Sequence, residues 1–251
     1  MAQFEIKDGV AIIPEETKII PCEAFEDCTS LISIVIPNSV YSIGEDAFYG
    51  CTSLISIVIS NSVTKIGDWA FEGCTSLASI VLPDSVIEIA DYVFKGCTSL
   101  TSIVMPDSVT SIGNGVFVGC TSLKSVVIPS SVTSVGKFVF KGCTSLASIV
   151  IPNSVVEIGE ETFKGCTSLE NIVIEKGVKK IDSYAFYNCK NLKTITLPMG
   201  VNRIKANVFD NCDNIETIYV PAKLSDYYKE RLPERLHDKI VELVAERKSK
   251  K

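Results

Sequence analysis

Apolar side chains recur along this chain on a fixed beat. From residue 28 onward, each stretch of 23 residues places Leu or Ile three residues after a Cys, Ile or Val at six, and an aliphatic residue or Met at eight, as in Leu100, Ile103 and Met105. The intervening positions at five and seven carry a hydroxyl and a valine, as in Ser102 and Val104. This period-two alternation predicts a short strand with one face in a core and the other in solvent. Val at twelve and Ile or Val at fifteen, such as Val109 and Ile112, predict a second inward-facing extended segment. Between the two, most units carry Pro (Pro37, Pro83, Pro106, Pro129, Pro152, Pro198, Pro221), which ends ladder pairing because it has no N–H to donate. Gly44, Gly67, Gly113, Gly136 and Gly159 follow, where a turn needing positive φ is expected. Stretches such as GEDAFYGC then predict one helical or 3-10 turn.

Cysteine stands at 28, 51, 74, 97, 120, 143, 166, 189 and 212, a constant spacing of 23, with Phe three residues earlier each time. Such self-similarity outweighs the length of 251 residues as a guide to architecture. With the L-x-x-L-x-L pattern it predicts a leucine-rich-repeat solenoid of 23-residue coils. The expected architecture has a concave parallel β-sheet, a mostly irregular or short-helical convex side and a C-terminal helical cap. Residues 1–27 read as a degenerate first coil and cap, 28–221 as the solenoid, and 222–251 as an amphipathic helical cap with a basic tail. The last assignment rests on Leu232, Leu236, Ile240, Leu243 and Val244 at helical spacing, with Pro233 near a helix start. Exposed solenoid ends require capping, and a partner-binding helix is the sharper alternative for this segment.

The unit F-x-G-C-T-S-L-x-S-I-V-I-P-x-S-V-T-x-I-G resembles the BspA-like leucine-rich repeat family, also called the Treponema pallidum type, over roughly residues 9–221. The resemblance implies a surface or secreted protein of bacteria or protists that adheres to host proteins or cells, hence a protein or glycoprotein ligand. The segment MAQFEIKDGVAIIP has neither a basic start nor a continuous apolar core, so it reads as no secretory signal.

Composition narrows the partner. The net charge of −6 divides unevenly: residues 1–166 hold eight Lys/Arg against 18 Asp/Glu, and residues 167–251 hold 16 against 12. An acidic majority argues against nucleic acid, which needs a concentrated basic surface. No apolar run is long enough to cross a bilayer.

One cysteine per coil predicts a reduced, buried ladder. Neighbouring coils lie about 4.7–4.9 Å apart with parallel side chains, whereas a disulfide needs converging Cβ atoms near 3.8 Å. Each thiol is expected to fill space and donate weakly to a turn carbonyl. A linear ladder does not gather metal ligands around a point, so neither metal nor cofactor is expected. Cys22 differs: its repeat equivalents are Glu45, Asp68, Asp91, Asn114, Lys137, Glu160, Ser183 and Ala206, which predicts an exposed thiol. The single histidine, His237, lies at the opposite end of the chain from Cys22, and acidic pairs such as Glu160 and Glu161 fall on turns. No catalytic constellation is expected, and the protein reads as no enzyme.

The surface pattern points instead to binding. Outward positions on the concave strands give a valine column, including Val58, Val81, Val104, Val127 and Val150, beside serines including Ser79, Ser102 and Ser125. Long contiguous apolar patches often mark interaction surfaces, although Val and Ser also suit a flat sheet copied with its repeat. Five residues before the Cys, Trp69, Tyr92, Phe138 and Tyr184 are candidate aromatic contacts or shields for neighbouring turns. The expected function is a noncatalytic protein-interaction or adhesion module. Its competitor is a structural scaffold or self-assembling repeat protein, the valine column of one copy meeting that of another.

Overall fold

The computed structural model describes residues 4–205 and 207–243. Ala206, Val244 and the basic tail therefore lie outside the described residues. Each 23-residue unit closes one coil: coil 1 spans 28–50, coil 2 spans 51–73, and coil 9 begins at residue 212. A short antiparallel pair, Ile6–Lys7 with Val10–Ala11, opens the stack. Within each sheet, strands of successive coils pair in parallel with equivalent residues opposite, Ser33 with Ser56 and Ser102 with Ser79. A second, shorter ladder runs along another side, through Ile19–Ile20, Ser42–Ile43 and Lys65–Ile66 and their equivalents.

No coil can bury its own apolar residues, so the core is made between coils. Phe25 through Phe209 form one stack of nearly parallel rings, with neighbouring centroids between 5.1 Å (Phe48 and Phe71) and 5.8 Å (Phe94 and Phe117) apart. Phe4 extends the stack at 5.5 Å from Phe25. Leu, Ile and Val from both strands surround the rings and are buried.

The third side differs from the expected helical turn. The residue five before each Cys is left-handed, from Asp46 (φ 52°) and Trp69 (φ 53°) to Phe138 (φ 62°) and Tyr184 (φ 57°), and Gly50, Gly73 and their equivalents repeat that hand four residues on. A left-handed residue at that interval stops a helix from propagating. The segment is a chain of turns, Tyr49 N–H to Asp46 C=O and Cys51 N–H to Phe48 C=O, whose alternate amides donate to the next coil: Asp46 to Asp68, Phe48 to Ala70, Gly50 to Glu72. The turn side is thus a hydrogen-bonded ladder in its own right.

The glycines before those turns have another role than the one expected. Gly44, Gly67, Gly113, Gly136 and Gly159 do not have positive φ. They are small because the preceding coil is close: a Cβ on Gly44 would lie 2.5 Å from Cys22 N, and one on Gly136 would lie 2.7 Å from Asn114 N.

The C-terminal segment is also corrected. The amphipathic helical cap expected over 222–251, on the helical spacing of Leu232, Leu236, Ile240, Leu243 and Val244, is helical only in part: the described chain forms a short α-helix, Ser225–Lys229, a 3-10 helix, Glu234–Lys239, and a strand, Ile240–Leu243. Pro233 disfavours helix at the residue before it, and the β-branched Ile240 and Val241 complete the sheet beside Thr217–Pro221. Tyr228, Leu232 and Leu236 are nonetheless buried against the last coil.

Candidate functional site

Val58, Val81, Val104, Val127 and Val150 stand 59, 65, 61, 78 and 50% exposed, beside exposed Ser79, Ser102 and Ser125. The alternation in the strand causes this, because Ile57, Ile80, Ile103, Val126 and Ile149 turn the other way into the core. The column is longer still, since Val35 (61%) precedes it. Ile32 and Ile55, half exposed at the position after each buried Leu, widen it in the first coils. These two were not picked out from sequence; the signal was Ile beside Leu where later coils carry Thr101, Lys124, Glu170 and Lys193. In coils 5, 7 and 8 the same position is charged, and Lys193 pairs with Glu170 at 3.1 Å.

The strand face is not one uninterrupted sheet. Ile34 and Ile57 pair within the first sheet and Ile80 with Ile103 in the next, but Ser56–Val58 does not pair with Ser79–Val81. Val127 lies in extended chain outside any ladder, and Val150 belongs to the sheet that runs on to the C-terminus. At the first interruption a cavity of about 490 Å³ opens between coils 2 and 3, lined by Ile55, Val58, Asn61, Val81, Pro83 and Asp84.

The aromatic candidates lie apart from this face, on the turn side. Trp69 stacks on Tyr92 at 6.1 Å, and the ammonium groups of Lys95, Lys141 and Lys164 sit over Tyr92, Phe138 and Tyr184 at 5.7, 5.6 and 5.8 Å. All four rings are half-buried against neighbouring turns.

The cysteine ladder is structural. Cys51 Sγ donates to Phe25 C=O at 3.1 Å, and the same bond recurs through Cys189 to Phe163. Burial pushes the thiols of Cys51, Cys120 and Cys166 up to about 12, which keeps them protonated and unreactive at neutral pH. Cys22 is exposed and lines a cavity of about 680 Å³ beside Gly44, Glu45 and Asp68. His237, at the far end, contacts Leu232 C=O at 3.0 Å through Nε2. Glu160 pairs with Lys137 at 3.2 Å, and Glu161 with Lys141 and Lys164 at 2.7 Å each. Among the described residues no His, Cys, Asp and Glu side chains gather as a metal site. No described helix is long and apolar enough to cross a membrane.

Comparison with known proteins reports the same architecture. The BspA type leucine-rich repeat region family matches residues 18–144 and 111–231, in six copies. The crystal structure of a leucine-rich repeat protein from T. pallidum is 29% identical, with a TM-score of 0.62 over 93% of this chain and 94% of that one. A leucine-rich repeat protein from Eubacterium ventriosum is 20% identical, with a TM-score of 0.55 over 80% and 76% of the two chains, a likeness of fold alone. No curated protein sequence matches.

Proposed function

The chain belongs to the BspA type leucine-rich repeat family, and from that premise we propose that it is a noncatalytic module whose strand face binds a protein or glycoprotein partner. Leucine-rich repeat proteins are typically interaction or adhesion proteins, which sets the class. The observation that supports this site is the exposed valine column from Val35 to Val150, an apolar stripe several coils long on a soluble-looking composition. The cleft between coils 2 and 3 gives the stripe a recess able to take an apolar or aromatic anchor, with Asn61 and Asp84 at its rim for polar contacts.

The test is binding of the purified chain to a panel of cell-surface and matrix glycoproteins, beside a folded Val81→Lys/Val104→Lys/Val127→Lys variant. Saturable binding by the parent that falls at least about tenfold in the variant, a difference of ~1.4 kcal/mol, supports the strand face. Equal binding by both forms moves the site elsewhere. Self-association of the parent alone, with no external ligand bound, favours the scaffold reading.

A further inference from the structure

The coil-to-coil ladders do not fail at random. Between coils 2 and 3 the strand-face pairing stops, and so does the second ladder: Lys65–Ile66 belongs to one sheet and Glu88–Ile89 to another. Amide bonds that recur elsewhere are missing there among the described residues. Ile55 donates to Ile32 C=O and Thr101 to Ala78 C=O, but Ala78 makes no equivalent bond. Gly67 donates to Ile43 C=O and Gly113 to Ile89 C=O, but Ala90 does not reach coil 2. Between coils 5 and 6 the second ladder is lost again, Val156 and Gly159 lacking the bonds that Thr133 and Gly136 make, while the strand side keeps one long bond, Ala147 N–H to Lys124 C=O at 3.4 Å. Ser154 Oγ there is buried without a partner, whereas Ser62, Ser85, Ser108 and Ser131 each donate to a valine carbonyl of the preceding coil, Ser85 across the first junction.

At both junctions the turn side stays closed. Trp69, Phe71 and Gly73 donate across the first at 2.8–2.9 Å, and Phe138, Phe140 and Gly142 across the second at the same distances. Ion pairs reinforce the same side: Glu72 with Lys95 at 2.9 Å, then Lys137 with Glu160 and Lys141 with Glu161. A cavity of about 490 Å³ opens on the strand side of the first junction and one of about 260 Å³ on the second-ladder side of the second, and the groove of about 680 Å³ along the first coils' second ladder ends at Ile87, Glu88 and Ala90.

Sequence differences coincide with each opening. Ala90 occupies the column where a Cβ on Gly67 would lie 2.6 Å from Glu45 N. Asp182 and Lys205 also place a Cβ in that column, but the chain of ion pairs Glu157–Lys180–Asp182–Lys205, at 2.6, 2.9 and 2.6 Å, clamps those coils shut. Coil 5 places Val126 and Val135 where other coils have Ile, and Val135 is half-buried, as is Ile204 near the C-terminal end, where Ile43, Ile66, Ile89, Ile112, Ile158 and Ile181 are buried.

We propose that the solenoid consists of three blocks joined by two one-sided hinges, between coils 2 and 3 and between coils 5 and 6, each pivoting on the hydrogen-bonded turn side. Opening widens the second-ladder cleft at both hinges, and the strand-face cleft at the first, while the phenylalanine stack and turn ladder hold.

Amide hydrogen exchange on the full chain tests this column by column. Residues 78, 87 and 90 at the first junction and 156 and 159 at the second should exchange on the order of tenfold or more faster than the same columns one coil away, with Phe71 and Phe140 as protected as Phe48. Ala90→Gly should slow residues 87 and 90, and small-angle scattering of the parent should require a wider range of bend than that variant. Uniform exchange along each column, exchange at Phe71 and Phe140 as fast as at residue 90, or scattering that one rigid shape fits equally well in both proteins would overturn the hinges.

Discussion

At the scale of single residues, position within the coil decides role more than residue type does. Cys120 is buried and donates to Phe94 C=O at 3.1 Å, a bond that an alanine at this position abandons. Cys120→Ala should cost about 1–3 kcal/mol in urea unfolding, the expense of a buried acceptor left unsatisfied and a small void. The ladder also makes stability sensitive to alkali. Unfolded thiols ionise above about 8.5, whereas Cys51, Cys120 and Cys166 keep their protons up to about 12. Their contribution is complete below the unfolded value and is lost as pH climbs through that window, by about 1.4 kcal/mol per pH unit for each thiol. Unfolding midpoints measured between pH 8 and 11 should fall accordingly, and less steeply in Cys120→Ala. The cysteine ladder was legible from spacing alone. The glycines were misread because a sequence shows that a Cβ is absent but not whether φ or a neighbouring backbone excludes it; Gly136→Ala, at a normal φ, should still destabilise by about 1–3 kcal/mol through crowding of Asn114.

Elements in this protein are held by what crosses between coils. Asp182 stands in the glycine column, and burial alone would raise its pKa; hydrogen bonds from Lys205, Lys180 and the Ser183 N–H outweigh that and hold it well below the usual carboxylate range. Its stabilising contribution is present above the ordinary Asp value and is lost as pH falls through the lowered one. Asp182→Asn should therefore lower the unfolding midpoint at pH 7 by an amount worth about 1–2 kcal/mol, since its lysine partners remain partly solvated, and flatten the acid limb of the pH profile. The C-terminal cap shows why element type was harder to read than element position. Leu232 and Leu236 are buried as helical spacing predicts, but Pro233 and the β-branched Ile240 and Val241 divide the segment. Glu242 ties the pieces together, accepting from the Ser225 N–H at 3.0 Å and its hydroxyl at 2.8 Å. Glu242→Gln should make trypsin cleavage after Lys223 and Lys229 several-fold faster while cleavage within coils 1 to 8 is unchanged.

For the whole molecule, nearest-neighbour packing makes the coil a unit of exchange. Removing residues 97–119 joins Gly96 to Cys120 with every column in register. The shortened protein should fold with an unchanged far-ultraviolet spectrum and an m-value lower by roughly a tenth, in proportion to surface lost. The solenoid and its valine column were readable at this scale because each repeats. The interruptions were not, because they arise from departures as slight as one methyl group at Ala90 or one fewer at Val135, whose effect depends on how closely the neighbouring coil already sits.

Those interruptions also bear on an ambiguity inherent in copying. A perfectly periodic surface offers a ligand several equivalent berths, each displaced from the last by one coil, and so defines orientation without defining location. The gap between Val58 and Val81 breaks this translational degeneracy. It turns an unmarked scale into one with an origin, from which positions toward either end of the molecule can be told apart.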